Sequence, residues 1–164
     1  MKVLDTSSVI AFYDELADPA LLLAWTSIGH ELCLPRQVFN EIGNCDRTHK
    51  LVNPDIANGK IRILDLIDGL TLSALSKRYP YLGQGEISVI ATGIHLMGSA
   101  RYFCVLDDRK ARDVAMKLNL PVVGTVGLLD KLVDKGHLDV SRRNECLRQL
   151  RSCGFRLGQE IRDR

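Results

Sequence analysis

Short apolar runs and amphipathic stretches alternate along the chain. The segments KVL, ELCLP, IRILDL, YFCVL and PVVGT have the length and apolar character of buried strands. The stretches between them place apolar residues at helical spacing, most clearly at Ile87, Ile90, Ala91 and Ile94 after a glycine-rich turn. Strands that alternate with helices build βαβ units. The pattern therefore predicts an α/β fold, a three-layer α/β/α sandwich with a central, mostly parallel sheet.

Capping and breaking residues set the predicted helix boundaries. Thr6–Ser8 are N-cap residues by type, so the first helix is predicted over residues 9–16. Pro80 ends a helix predicted to run to Tyr79. We predict one domain, with residues 1–140 forming its body and residues 141–164 a basic helical extension, broken at Gly154, that packs on it.

The composition and charge of the chain limit the range of functions that fit it. With 164 residues, 46% hydrophobic and 26% charged, the chain has ordinary globular composition. Aromatic residues make up only 5%, which argues against a base-stacking platform for single-stranded nucleic acid. The formal net charge is +2, but residues 141–164 hold seven arginines against three acids, so the preceding 140 residues are net acidic. Two interpretations stay open, a polyanionic or acidic partner near the C-terminus and a solvated helix face.

The cysteines and the hydropathy of the chain indicate in which cellular compartment the protein is expected. The five cysteines form no CxxC pair and their number is odd, so we interpret them as thiols in a reducing cytosol. The start of the chain does not fit a signal peptide, and no run of about 18 apolar residues is present. The sequence predicts a cytoplasmic protein without a membrane partner.

Acidic residues fall at strand ends and helix starts. Asp5 ends the first strand, Asp107 and Asp108 end the fourth, Glu41 lies on the helix after the second strand, and Glu86 begins the central helix. In parallel sheets, functional groups collect at the carboxyl ends of the strands. Carboxylates brought together there repel one another unless a cation neutralises them, and all-oxygen ligation favours Mg²⁺ or Mn²⁺. Each acid alone has a plainer interpretation, as a cap or a solvated residue, so the inference rests on the set.

Four segments carry a resemblance to a known family. VLDTSSVI, LPRQVFNEI, LGQGEISVIATG and the long segment that begins FCVLDDRKAR stand in the order found in PIN-domain proteins, and they cover most of residues 2–138. The chain resembles the toxin ribonucleases of VapBC-type toxin–antitoxin pairs, in particular a subgroup with the double aspartate of LDDRKAR. The resemblance implies a metal-dependent endoribonuclease that hydrolyses RNA phosphodiester bonds with Mg²⁺ or Mn²⁺. It also implies a small antitoxin partner and a homodimer.

The resemblance assigns roles to the acids and to one serine. It implies that Asp5, Glu41, Glu86 and one or both residues of the Asp107–Asp108 doublet are catalytic, with all but Glu41 as metal ligands. Ser7 matches the small polar residue that supports the first aspartate. Neighbours on a strand point to opposite faces, so one aspartate of the doublet enters the cluster more readily. We favour Asp107, with Asp108 nearly equal, and expect the other to cap the following helix.

Several further features have more than one interpretation. Thr125 either contacts the substrate backbone or a metal-bound water, or caps a helix. Arg109 and Arg112 either hold RNA phosphates or neutralise nearby carboxylates. Gly83-Gln84-Gly85 allows a phosphate to approach a helix N-terminus, although a plain turn into the helix is the simpler reading. The four histidines show no ligand spacing and are interpreted as structural, and Trp25 as core.

Two other functions compete with the nuclease. A non-catalytic scaffold of the same fold would bind RNA or protein, but it has no need for clustered acids. A receiver-like phosphoacceptor domain also uses strand-end aspartates, but it leaves Glu41 and Glu86 without a role.

Overall fold

A parallel sheet forms the centre of the molecule. The computed structural model describes residues 1–98 and 101–155. In that part of the chain five strands form the sheet: β1 (Lys2–Leu4), β2 (Leu32–Pro35), β3 (Ile61–Leu64), β4 (Phe103–Val105) and β5 (Val122–Val123). Their order is β3-β2-β1-β4-β5, and all four pairings are parallel. The predicted α/β/α sandwich is confirmed.

Helices connect and flank the strands. The described residues form α1 (Thr6–Ile10), which continues into a π-helical segment (Ala11–Glu15), α2 (Pro19–Ser27), α3 (Arg36–Gly43), α4 (Asp46–Ala57), α5 (Gly69–Arg78), α6 (Gln84–Leu96), α7 (Arg109–Lys117), α8 (Thr125–Asp134) and α9 (Val140–Ser152). No helix among these residues is both long and apolar enough to span a membrane. All five cysteines are free thiols.

Helix α6 is the core helix. Nine of its thirteen residues are buried, and it contacts β1, β2 and β4 as well as α3, α5 and α7. Such a helix must approach the sheet closely. A Cβ at Gly93 would lie 2.6 Å from Sγ of Cys104 on β4, so glycine permits the contact. The C-terminal half of α6 therefore packs directly on β4.

Strand β1 lies at the centre, where the chain order reverses. It pairs with β2 on one side and with β4 on the other, so that Lys2 has both Leu32 and Phe103 as partners. In open α/β sheets the connections on the two sides of such a point run to opposite faces, which leaves a crevice at the carboxyl ends of the strands. Asp5 follows β1 directly at this crevice.

Three local differences separate the pattern from the structure. Helix α1 begins at Thr6 rather than at residue 9, because the Asp5 side chain caps it. Strand β3 ends at Leu64, two residues before the predicted end of IRILDL. Helix α4 is not predicted by the pattern, since only Thr48 and Val52 of its twelve residues are buried and Pro54 lies inside it.

The C-terminal helix α9 packs on the rest of the domain. Cys146, Leu147 and Leu150 are buried, and Arg143 is buried with its guanidinium 2.7 Å from the Asp130 carboxylate on α8. Arg142 pairs with Asp18, at 2.9 Å. These two arginines therefore serve the fold. Arg148 and Arg151 are exposed, and the remaining arginines of the tail lie outside the described residues: Arg156, Arg162 and Arg164.

Replacing Leu150 by alanine tests whether α9 belongs to the domain. The side chain is fully buried, so L150A should lower the free energy of unfolding by about 2–5 kcal/mol. Urea denaturation measures the loss. The matched control is R148A on the exposed side of the same helix, which should change stability by less than about 0.5 kcal/mol. Equal and small effects of both variants would show that α9 is dispensable to the fold.

Candidate active site

Asp5 and Asp107 meet at the carboxyl ends of β1 and β4. The Asp107 backbone N–H donates to Oδ2 of Asp5, at 3.3 Å. The other oxygen of Asp5 accepts from the backbone N–H of Ser8, at 2.8 Å, and so caps α1. Asp5 is 2% exposed. The carboxylate is thus fixed by the helix that it starts and faces the end of the neighbouring strand.

Thr125 holds the Asp107 carboxylate from the end of β5. Its backbone N–H donates to Oδ1 at 2.7 Å and its hydroxyl donates to Oδ2 at 2.6 Å. A Cβ at Gly124 would lie 3.0 Å from Oδ1 of Asp107 and 3.4 Å from Nη1 of Arg112. The glycine therefore leaves room for the aspartate and places a guanidinium beside it.

Asp108 and Glu86 occupy neighbouring helix starts. Asp108 is the N-cap of α7 and accepts from the backbone N–H of Ala111, at 2.9 Å. Glu86 stands in the first turn of α6 and accepts from the backbone N–H of Gly83, at 2.8 Å. The charges of Asp108 and Glu41 both act on Glu86. The doublet is thus divided, with Asp107 facing Asp5 and Asp108 capping the helix towards Glu86.

Glu41 reaches the same region from α3. Its Oε1 accepts from the backbone N–H of Gly85, at 2.7 Å, and its Oε2 accepts from the Thr6 hydroxyl. A Cβ at Gly85 would overlap the Glu41 carboxylate. Glycine at this position is therefore required for the contact between α3 and the start of α6.

Burial and neighbouring charges raise the pKa values of three carboxyl groups at this site. Burial raises the pKa of Asp5, and the charge of Asp107 raises it further, against the opposing hydrogen bonds from Ser8. Burial likewise raises the pKa of Asp107, while the bonds from Thr125 and the charge of Arg112 act in the opposite direction. The pKa of Glu86 is raised mainly by burial, with added effects of Asp108 and Glu41. The region therefore disfavours negative charge that has no counterion.

The donor set fits a hard divalent cation. Its side chains supply carboxylate and hydroxyl oxygens, the ligands that Mg²⁺ and Mn²⁺ prefer. A carboxylate has about four lone-pair sites, so those of Asp5 and Asp107 keep accepting capacity beyond their protein hydrogen bonds. Within residues 1–98 and 101–155, however, no three Asp, Glu, His or Cys side chains already converge as a metal-binding group. Cation binding therefore requires side-chain adjustment around the Asp5–Asp107 pair.

The structure also places the remaining site residues that the sequence predicted, which are Thr125, Ser7, Arg109 and Arg112. Thr125 orients Asp107 through two hydrogen bonds. The sequence did not predict this contact. Ser7 is exposed, whereas the hydroxyl of its neighbour Thr6 donates to Glu41 and the backbone N–H of Ser8 donates to Asp5. Ser8 faces Asp5 because it stands three residues after the cap, where an N-cap carboxylate accepts its bond. Arg109 and Arg112 are exposed, and the charge of Arg112 acts on Asp107.

Glu15 is an acid that sequence reasoning missed. Its Oε2 atom is buried without a hydrogen-bond partner among the described residues. Burial raises its pKa first, followed by the charges of Asp14 and Asp107. Glu15 lies at the end of the π-helical segment, and π-helical turns occur frequently at functional sites. Apolar spacing does not reveal such a turn, so the sequence carried no signal for this residue.

The fold and the site define an α/β protein with carboxylates gathered where the strand order reverses. The family model DUF3368, described as a PIN domain, matches residues 1–164. The chain therefore belongs to the PIN-domain family, whose members are typically nucleases that use divalent metal ions. This membership replaces the receiver-like interpretation. Comparisons with curated proteins and with solved structures found no match.

Replacing Gly85 by alanine tests the packing of Glu41. On helix propensity alone the change should stabilise the protein by about 0.5–1 kcal/mol. The overlap with the Glu41 carboxylate reverses the sign, so G85A should lower the free energy of unfolding by about 1–3 kcal/mol. Chemical denaturation measures the difference.

The control for G85A is the same change at Gly43. That glycine ends α3, and a Cβ there meets no atom within 4 Å. G43A should therefore leave stability unchanged or raise it slightly. Stabilisation by both substitutions would contradict the close contact between Glu41 and Gly85.

Proposed function

We propose that this protein is a metal-dependent endoribonuclease that hydrolyses RNA phosphodiester bonds. The observation that carries the proposal is the Asp5–Asp107 pair at the carboxyl ends of β1 and β4, where the buried Asp5 carboxylate accepts from the backbone N–H of the half-buried Asp107 and the charge of Asp107 acts on it. Neither takes part in a salt bridge with a described lysine or arginine. Membership in a family of nucleases supports hydrolysis of nucleic acid, and the resemblance to toxin ribonucleases favours RNA.

Asp5 and Asp107 are the proposed core of the cation site, with Asp108 and Glu86 as further ligands. When bound there, Mg²⁺ or Mn²⁺ supplies Lewis-acid polarisation of a phosphodiester and activation of water. Thr125 fixes the Asp107 carboxylate through two hydrogen bonds. Because a small displacement of a catalytic group lowers the rate strongly, this anchoring is part of the proposed machinery.

Glu41 and the arginines have distinct proposed roles. Glu41 is tied to Thr6 and to the start of α6, so it adds negative charge beside the ligands and maintains the position of Glu86. Arg109 and Arg112 are exposed near the mouth of the crevice, where guanidinium groups bind phosphate through paired hydrogen bonds. They are proposed to hold the RNA backbone.

The nuclease proposal predicts loss of cleavage on replacing Asp107 by asparagine. D107N keeps the shape and the bond from the Thr125 N–H but removes a carboxylate charge, so cleavage of RNA in Mg²⁺ or Mn²⁺ should fall by at least about 10²-fold. The melting temperature should not fall, because the change removes a buried charge. Cleavage of a fluorescent RNA, with EDTA and a DNA of the same sequence as comparison arms, measures the effect.

The matched control is Asp113→Asn on α7, an exposed aspartate outside the crevice, which should leave the rate unchanged. Isothermal titration with Mn²⁺ should show binding to the unmodified protein and weaker binding to D107N. Absence of both cleavage and Mn²⁺ binding would overturn the proposal in favour of a non-catalytic scaffold.

A toxin role is the finer part of the proposal. The resemblance to VapBC-type toxins supports it, together with an acidic crevice that a cationic segment of a small antitoxin would neutralise. Expression of the unmodified protein should arrest bacterial growth, while expression of D107N to the same level should not. Coexpression with the product of the neighbouring gene should relieve the arrest. Unimpaired growth despite active ribonuclease in the lysate would contradict the toxin role but leave the nuclease intact.

A further inference from the structure

A basic cavity lies at the opposite edge of the sheet from the acids. Its volume is about 380 Å³, within the size range of small-molecule sites. The lining residues come from the starts of β1 and β4, from α2, from the segment before β2 and from the C-terminal end of α8: Lys2, Trp25, His30, Phe103, Lys131, Asp134 and Lys135. Because the strands are parallel, these positions all lie at the amino ends of the strands, away from Asp5.

Lys2 is the unusual residue of this cavity. It is 1% exposed, and its Nζ lies 4.3 Å from the ring centroids of both Trp25 and Phe103. The residues that the structure describes offer it no carboxylate within salt-bridge distance. Burial lowers the pKa of Lys2 to about 8, and the charges of Lys131 and Lys135 contribute. The two rings stabilise the ammonium in part, but its charge has no anionic partner.

Trp25 gives an independent observation at the same place. Its indole N–H is buried and has no acceptor among the described residues, although a buried tryptophan usually finds one. The ring also makes an edge contact with His30, with centroids 5.2 Å apart. Trp25 and Lys2 therefore line one cavity, and each has a polar group without an acceptor among the described residues. An anion bound there would supply the ammonium with the negative charge that it lacks.

The balance of charge indicates which anion fits. Lys2, Lys131 and Lys135 face a single acid, Asp134, so the lining carries two more positive than negative charges. A phosphate monoester carries about −1.5 to −2 charges at pH 7 and offers three acceptor oxygens. We propose that this cavity binds a phosphate monoester, with the Lys2 ammonium at its base, beside the Trp25 ring, and Lys131 and Lys135 at its rim. The site is separate from the acidic crevice and does not depend on nuclease activity.

The single tryptophan of the chain makes the test direct. In the ¹⁵N-labelled full-length protein, the indole N–H of Trp25 gives one resonance. Titration with inorganic phosphate at constant ionic strength should move it in a saturable manner, with Kd in the low millimolar range or below, whereas acetate should have a much weaker effect. Adenosine 5′-monophosphate forms a second arm. Tighter binding than phosphate supports a nucleotide as the ligand, and equal binding supports the phosphate group alone.

Variants of the lysines at the rim and at the base of the cavity test whether the shift of the Trp25 resonance arises from binding there. The double change K131Q/K135Q lies on exposed positions and should weaken binding by at least about tenfold. The control K50Q/K77Q removes two exposed lysines elsewhere and should leave the titration unchanged. K2M should abolish the shift, with its fold verified by melting temperature. Absence of a saturable shift, an equal response to acetate, or full binding by K131Q/K135Q would each overturn the proposal.

Discussion

The close approach of Asp107 to the buried Asp5 carboxylate at the end of β1 is the constraint on which the rest of this site depends. Strand β1 pairs with β4 over three residues, so the chain segments that leave the two strands must share one crevice. Asp5 accepts a hydrogen bond from the Asp107 backbone, which fixes the distance between the two acids. Thr125, Ser8 and Arg112 surround them. Ser8 and Thr125 donate hydrogen bonds to the pair, and the charge of Arg112 acts on Asp107.

The pair opposes folding at neutral pH. Both carboxyl groups have raised pKa values, so they bind protons more tightly in the folded protein than in the unfolded chain. The stability that this provides is complete below their ordinary pKa values and is lost as the pH rises through the raised ones. At neutral pH the fold therefore holds charge that burial disfavours. A bound divalent cation would offset that cost, which couples cation binding to stability.

The sequence predicts where the acids lie more accurately than it predicts which residues contact them. Asp5 and Asp107 follow apolar runs, and parallel strands bring such positions to one edge. The resemblance assigns the support of Asp5 to Ser7, whereas in the structure Asp5 caps α1 and accepts from the backbone N–H of Ser8. Glu15 depends on a π-helical turn. Contacts set by one hydrogen bond or one turn are not encoded in apolar spacing, whereas the alternation of strands and helices and the central helix are.

Strand β1 joins two regions of opposite charge. Lys2 at one end and Asp5 at the other are both nearly inaccessible to solvent, although only Val3 and Leu4 separate them. Asp5 caps α1, so part of its role is structural. No described lysine or arginine forms a salt bridge with Asp5, however, and no described carboxylate forms one with Lys2. The two proposed ligands have opposite signs, a cation at the carboxyl end of the strand and an anion at its amino end, and each would neutralise one of these buried charges.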